Sequence, residues 1–322
     1  MEYSEYKFKY WNINAYSIKF LQNYIKNINN QNSKTFIPKQ DRIAVFDFDG
    51  TIYGELAPIY TEWWMFKYRV LEDKDFKGDI EIIDIANKVK IAGETRTIPD
   101  NLEILHAKQN PRAYEGMTLK EFEYYTNEFL SRQALGFSGM TYKEAFYLPM
   151  VEIIEYLQKN EFKIYINSGS DRFFCRILID GILNIPKENI IGTEIQLEGK
   201  NQNGKDSLYY VYSKNEEVVR TGELLVKNIK GNKVIQIERI IGKKPILSFG
   251  NSDGDKSMAI YVTSDNKYPS AAFMLIADDE KRDYGNINIS SKKRISWEKE
   301  GFIIISMRED FKTIYKEGVK KI

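Results

Sequence analysis

Ile43-Ala44-Val45-Phe46-Asp47-Phe48-Asp49-Gly50-Thr51 is the stretch on which the reading of this chain turns. Its first four residues form an unbroken apolar run between the polar Lys39-Gln40-Asp41-Arg42 and Gly50, as in a strand covered on both faces of a parallel sheet. Acidic residues follow at the strand's C-terminal end, where open α/β sheets hold their ligands. Side chains two apart on an extended chain share a side, so Asp47 and Asp49 are expected to face one pocket. Paired carboxylates repel and resist desolvation, and a hard divalent cation relieves both effects. In isolation Asp-Phe-Asp-Gly also satisfies the chemistry of a simple turn, so the rest of the chain decides.

Two further strands end in similar chemistry. Pro149 opens a helix through Val151, Ile154 and Leu157 that closes at Lys159-Asn160, and Phe162 to Asn167 reads as a strand. Ser168-Gly169-Ser170-Asp171 is expected to be a short turn into a helix at Phe173 to Ile179. Such a turn offers backbone N–H groups and a hydroxyl to an anion, with Ser170 or Asp171 capping the helix. Pro245 to Phe249 is a third buried strand, ending in Gly250-Asn251-Ser252-Asp253-Gly254-Asp255 and followed by a helix from Lys256. Ahead of it, Asn232 and Lys233 open a helix that ends at Gly242. Ala271 to Ala277 adds another strand, and Trp297 to Ser306 with a Lys-rich tail closes the chain.

Strands alternating with helices predict an α/β fold, a doubly wound parallel, Rossmann-like sheet. Residues 41–56 and 146–322 make this core, and residues 57–145, helical in texture, read as an inserted, mostly helical cap domain. Thr118-x-x-Glu121 and Thr141-x-x-Glu144 fit helix capping boxes within the insertion. Residues 1–40 form a helical extension, with an amphipathic helix from Trp11 to Ile28. Around residues 190–225 the period switches to two, which predicts a small β excursion with strands at Ile191–Leu197, Ser207–Tyr212 and Glu217–Thr221.

Composition removes several classes. Lys+Arg number 47 against 46 Asp+Glu, so no bulk charge directs the chain to nucleic acid or an anionic membrane, and a small-molecule partner is expected. The lone Cys175 forbids an intramolecular disulfide. The lone His106 forbids a His-rich zinc site, and it reads as a packing residue on a helix face. No apolar run approaches the ~20 residues that span a bilayer. Met1 to Glu5 lacks the basic and apolar regions of an export signal, so a cytoplasmic location is the default expectation.

The constellation resembles the haloacid dehalogenase-like (HAD) hydrolase superfamily. Asp47-Phe48-Asp49-Gly50-Thr51 matches its first motif, Ser168 the second, Lys233 the third, and Gly250 to Asp255 the acidic fourth. The order is similar to the phosphoserine-phosphatase-like branch, with its helical cap between the first two motifs. One residue departs from the pattern: Asn251 stands where an Asp is usual, which removes a charge from the metal site, with Asp253 or Asp255 to compensate.

The resemblance implies a Mg²⁺-dependent phosphatase of a small phosphorylated metabolite, working through an aspartyl-phosphate. It makes Asp47 the nucleophile and Asp49 the acid and base, with Ser168 and Lys233 as the remaining catalytic groups. Thr51, Glu55, Ser168, Gly169 and Lys233 are the implied substrate contacts, and Asp47, Asp49, Asn251 and Asp255 the implied metal ligands. A phosphomutase or phosphotransferase is the alternative enzyme, and Asn251 leaves room for a catalytically weak binding protein. For specificity the candidates are Tyr53, Glu55, Trp63, Trp64 and Tyr68, with Glu55 suited to a cationic amine and the aromatics to a quaternary ammonium.

Overall fold

The apolar run at Ile43–Phe46 is a strand buried at all four residues. In the computed structural model, which describes residues 6–55 and 59–322, it is β1 and follows α1 (Tyr16–Asn29). The expected core–cap junction at residue 56 and the segment Met1–Glu5 lie outside the described residues. After β1 come α2 (Thr61–Leu71), α3 (Ile80–Thr95), α4 (Leu102–Ala113) and α5 (Leu119–Leu130), then β2 (Phe137–Ser138) and α6 (Leu148–Lys159). The chain continues through β3 (Lys163–Asp171), α7 (Arg172–Ile179), β4 (Ile190–Gly199), β5 (Val218–Val226), α8 (Gly231–Gln236), β6 (Leu247–Gly250) and α9 (Lys256–Thr263). β7 (Ala271–Ile276), α10 (Ile287–Lys299), β8 (Ile303–Ser306) and β9 (Lys320–Lys321) complete it.

The main sheet has seven strands in the order β5-β4-β3-β1-β6-β7-β8. All neighbours are parallel except the edge pair β4–β5, which is antiparallel. β1, β6 and β7 are buried throughout, as expected where helices cover both faces. The chain winds from β1 through β3 to β4, then crosses to β6 on the other side of β1. β1 therefore sits where the winding reverses, and the crevice at its C-terminal end is the ligand position of such sheets. Phe46, Phe249 and Phe273, on three adjacent strands, stack at 4.2 and 4.7 Å between centroids and tie this centre together.

Several local expectations differ from the structure. The N-terminal helix begins at Tyr16, and Trp11 is instead fully buried in a bridge to Phe311. Thr118 and Glu121 form their capping box, but the box at Thr141–Glu144 closes only a single 3-10 turn. Within the segment expected to be mostly helical, β2 pairs with β9 at the far end of the chain. Ser207–Tyr209 is another 3-10 turn, so the alternating Ser207–Tyr212 is not a strand; the rest of the expected β excursion is the antiparallel pair β4–β5, which forms the edge of the main sheet.

Candidate active site

Gly50 makes the turn that follows β1. It adopts φ +76°, a left-handed conformation that suits glycine, and its N–H donates to the Tyr53 carbonyl at 2.6 Å. The turn brings the Thr51 hydroxyl back over the strand end, where it lies 3.0 Å from Asp47 Oδ2 and 3.3 Å from Asn251 Oδ1. Asn251 follows β6, so this contact joins two adjacent strand ends.

Lys233, delivered by α8, is buried, and its Nζ donates to Asp47 Oδ1 at 2.5 Å and to Asp255 Oδ1 at 2.6 Å. Asp255 Oδ2 accepts from the Asn251 N–H, the Ser252 N–H and the Ser252 hydroxyl, which folds the β6 loop around its carboxylate. Burial works against the Lys233 ammonium, but Asp255 and Asp47 outweigh it and hold the group above its ordinary value. Asp47 is pushed upward, first by burial and then by the charge of Asp255, with Lys233 pulling the other way.

Asp49 is in different surroundings. Its Oδ2 accepts from the Ser170 hydroxyl at 2.7 Å and the Ser168 hydroxyl at 3.4 Å, while its buried Oδ1 has no partner. Burial raises its carboxyl above the ordinary value, opposed chiefly by the Ser170 hydrogen bond. The two acids thus differ in their partners: an ammonium at Asp47, only hydroxyls at Asp49.

Above them lies a cavity of about 630 Å³. Asp47, Asp49, Ser170, Lys233 and Asp255 form its floor. Lys227, Lys230 and Lys293 add positive charge to its lining, alongside Glu55, Glu103 and Asp253. Tyr60, Trp63 and Ile98, from the segment between β1 and α6, close one side with apolar surface.

No protein-family model and no curated protein matches the chain. Solved structures do. A protein of unknown function from Anaerococcus prevotii DSM 20548 shares 14% identity over 92% of this chain and 94% of its own, with a TM-score of 0.53. Cytosolic 5'-nucleotidase IIIB, solved with cytidine, shares 12% identity over 89% of this chain and 84% of its own, also at 0.53. A protein of unknown function from Bordetella pertussis Tohama I follows at 12% identity, 82% and 97% coverage and 0.50. The chain has the haloacid dehalogenase-like fold.

Within this HAD-like fold, the structure brings together Asp47, Asp49, Lys233, Asn251 and Asp255 from three parts of the chain. Gly169 and Glu55 also line the cavity, whereas Thr51 and Ser168 are fully buried behind it. Ser168 to Asp171 is not the expected turn: the segment stays extended as the end of β3, with a register shift against β4. Nor is the α7 N-terminus open to an anion. Asp171 Oδ1 accepts from the Phe173 and Phe174 N–H groups, and the Ser168 hydroxyl accepts from the Ser170 N–H. Of the specificity candidates only Glu55 and Trp63 reach the cavity. Tyr53 is buried with its hydroxyl on the Tyr142 carbonyl, Trp64 lies under the Lys67 ammonium, and Tyr68 packs against Arg132 and Phe129. His106 packs at 4.5 Å behind Trp63 with neither ring nitrogen bonded, and burial keeps it well below its usual range.

Magnesium is the metal that the HAD-like resemblance implies, and the donors available are oxygens, as a hard cation requires. Thr51 has one hydroxyl proton for both Asp47 Oδ2 and Asn251 Oδ1, so one of these oxygens always lacks its donor, as does Asp49 Oδ1. Buried oxygens short of donors fit a cation bound between the ends of β1 and β6. Among the described residues no three His, Cys, Asp or Glu side chains form a ready cage.

Proposed function

We propose that this chain is a Mg²⁺-dependent phosphatase that hydrolyses the phosphate monoester of a small molecule through an aspartyl-phosphate on Asp47. The observation that carries the reading is the pairing of two buried acids in one cavity, Asp47 against the Lys233 ammonium at 2.5 Å and Asp49 against the Ser170 hydroxyl at 2.7 Å. The ammonium favours the ionised form that a nucleophile needs, and a buried acid without a cation on its oxygens keeps the proton that a leaving group needs.

A carboxylate oxygen of Asp47 attacks phosphorus, the bond from phosphorus to the ester oxygen breaks, and Asp49 gives its proton to the departing alkoxide. Asp49 then takes a proton from water as that water attacks the same phosphorus, and inorganic phosphate leaves with Asp47 restored. Lys233 holds Asp47 in place through both steps and neutralises the transferring group. Ser170, released from Asp49, and the Gly169 N–H bind the remaining phosphate oxygens, with Ser168 behind them accepting from the Ser170 N–H. Asp47, the Asp49 carbonyl, Asn251 and Asp255 would hold Mg²⁺, which would supply further positive charge at the phosphate. Helices α2–α5 act as a cap, with Tyr60, Trp63 and Ile98 against the leaving group. The similarity to cytosolic 5'-nucleotidase IIIB is one of fold, and the site chemistry supports the reading independently.

The test is phosphate release from p-nitrophenyl phosphate with and without Mg²⁺, using Asp47→Asn as the comparison. The wild type releases phosphate only with the metal, and the variant loses at least ~10³-fold in kcat. A fully active Asp47→Asn protein would overturn the nucleophile assignment.

A further inference from the structure

Asn251 is held at three points, and only one of them decides what it offers to a cation. Its N–H donates to Asp255 Oδ2 at 3.1 Å and its carbonyl accepts from Lys293 Nζ at 3.2 Å, so the backbone is fixed on both sides. The side chain is left with one freedom, a half-turn that exchanges its oxygen and nitrogen. Of these two ends only the oxygen can ligate a metal. Glu55 makes the choice: its Oε1 accepts from Asn251 Nδ2 at 3.0 Å, which leaves Oδ1 directed to the Thr51 hydroxyl beside Asp47. Gly50 makes room for the pair, because a Cβ there would stand 2.0 Å from Asn251 Nδ2 and 2.5 Å from the Glu55 carboxyl carbon.

The geometry points to Glu55 as a positioning residue for the cation site, orienting the Asn251 amide so that its oxygen faces the metal. This rests on the Mg²⁺-dependent reading above and goes beyond it. A carboxylate at position 251 would have an oxygen at either end and need no such partner; an amide does. Glu55 therefore matters because residue 251 is Asn, and that dependence separates positioning from a merely structural role.

The experiment is Mg²⁺ titration by isothermal calorimetry without substrate, on the full chain, with circular dichroism to establish folding. Glu55→Ala is expected to weaken Mg²⁺ binding about 10–100-fold, the usual effect of removing a group that orients a ligand. Glu55→Gln, whose side-chain oxygen still accepts from Nδ2, restores most of the affinity. In an Asn251→Asp background, Glu55→Ala costs less than about threefold, because no amide remains to orient. Equal losses in the Asn251 and Asn251→Asp backgrounds, or none in either, would overturn the positioning role. Wild-type protein that binds Mg²⁺ and hydrolyses p-nitrophenyl phosphate alongside an unaffected Glu55→Ala variant would sink this inference alone. Wild-type protein that does neither would sink the phosphatase reading with it.

Discussion

Replacing Lys233 by methionine keeps a side chain of similar length and removes the one ammonium shared by Asp47 and Asp255. The three groups are buried, at 2%, 6% and 1% exposure, so water cannot take over its role. Removing one partner of a buried ion pair costs about 3–5 kcal/mol, because the charge left behind is uncompensated. At about 2.1 cal/mol/K of unfolding entropy per residue, a chain of 322 residues loses about 1.5 °C in Tm per kcal/mol. The expected fall at pH 8, measured by calorimetry in EDTA, is therefore about 4–7 °C.

The pH dependence of this fall is the sharper part of the test. Without the ammonium, which in the wild type opposes the upward push of burial, Asp47 in the folded variant holds its proton still further above the ordinary carboxyl range, near 4, where the unfolded chain releases it. A group raised in this way destabilises the folded state increasingly as pH climbs through that range, and costs nothing below it. The difference in Tm between wild type and Lys233→Met must therefore widen from pH 5 to pH 8. A gap under about 1 °C at pH 8, or one of equal size at both pH values, would refute the argument that Lys233 neutralises both carboxylates.

Two other substitutions probe the scaffold around the site. Glu62, buried on α2 with Oε1 accepting from the Asp171 N–H and Asn110 Nδ2, is pushed up to about 7, chiefly by burial, so wild-type stability falls as pH climbs from the ordinary value of 4.5 toward 7. Glu62→Gln removes that slope and is expected to melt a few degrees above wild type at pH 8, with no such gain at pH 4.5, in parallel thermal scans. Gly50→Ala forces a side chain into a left-handed φ of +76° and onto Asn251 Nδ2, so it should lower phosphatase kcat by ~10²-fold or more while costing only ~1–3 kcal/mol in a urea melt.

The parts of the fold visible in the sequence are those in which burial leaves a local mark. Strands covered on both faces are mostly apolar, and Ile43–Phe46, Leu247–Gly250 and Ala271–Ile276 overlap the runs where such strands are expected, with Ser248 the one polar side chain among them. Ser207–Tyr212 shows the opposite case. Its alternating pattern satisfies a strand template, yet Leu208, Tyr209 and Val211 are more than four-fifths exposed and no neighbouring strand accepts the segment. Alternation states a preference for a pleated surface, whereas a strand also needs a partner. β2 is legible from neither side, since its two residues pair with Lys320 and Lys321, more than half the chain away.

The site divides along the same line. Asp47 and Asp49 could be placed together because the extended chain leaving β1 fixes their relation, and the same rule applied to β3 would have found Ser170. Read as a turn, Ser168-Gly169-Ser170 offers one hydroxyl; kept extended, it puts both serines on the side that faces Asp49, and both hydroxyls meet Asp49 Oδ2. Lys227, Lys230 and Lys293 have no such local signature. Lys293 lies on α10, 42 residues from the Asn251 carbonyl it holds, among other lysines with no part in the cavity. Only the order of strands, which sets the β6 loop against the helix following β7, brings it to the site. The pairing of Asp47 and Asp49 is therefore written in the spacing of an extended chain, while the cations of the cavity and the orientation of its one amide depend on topology.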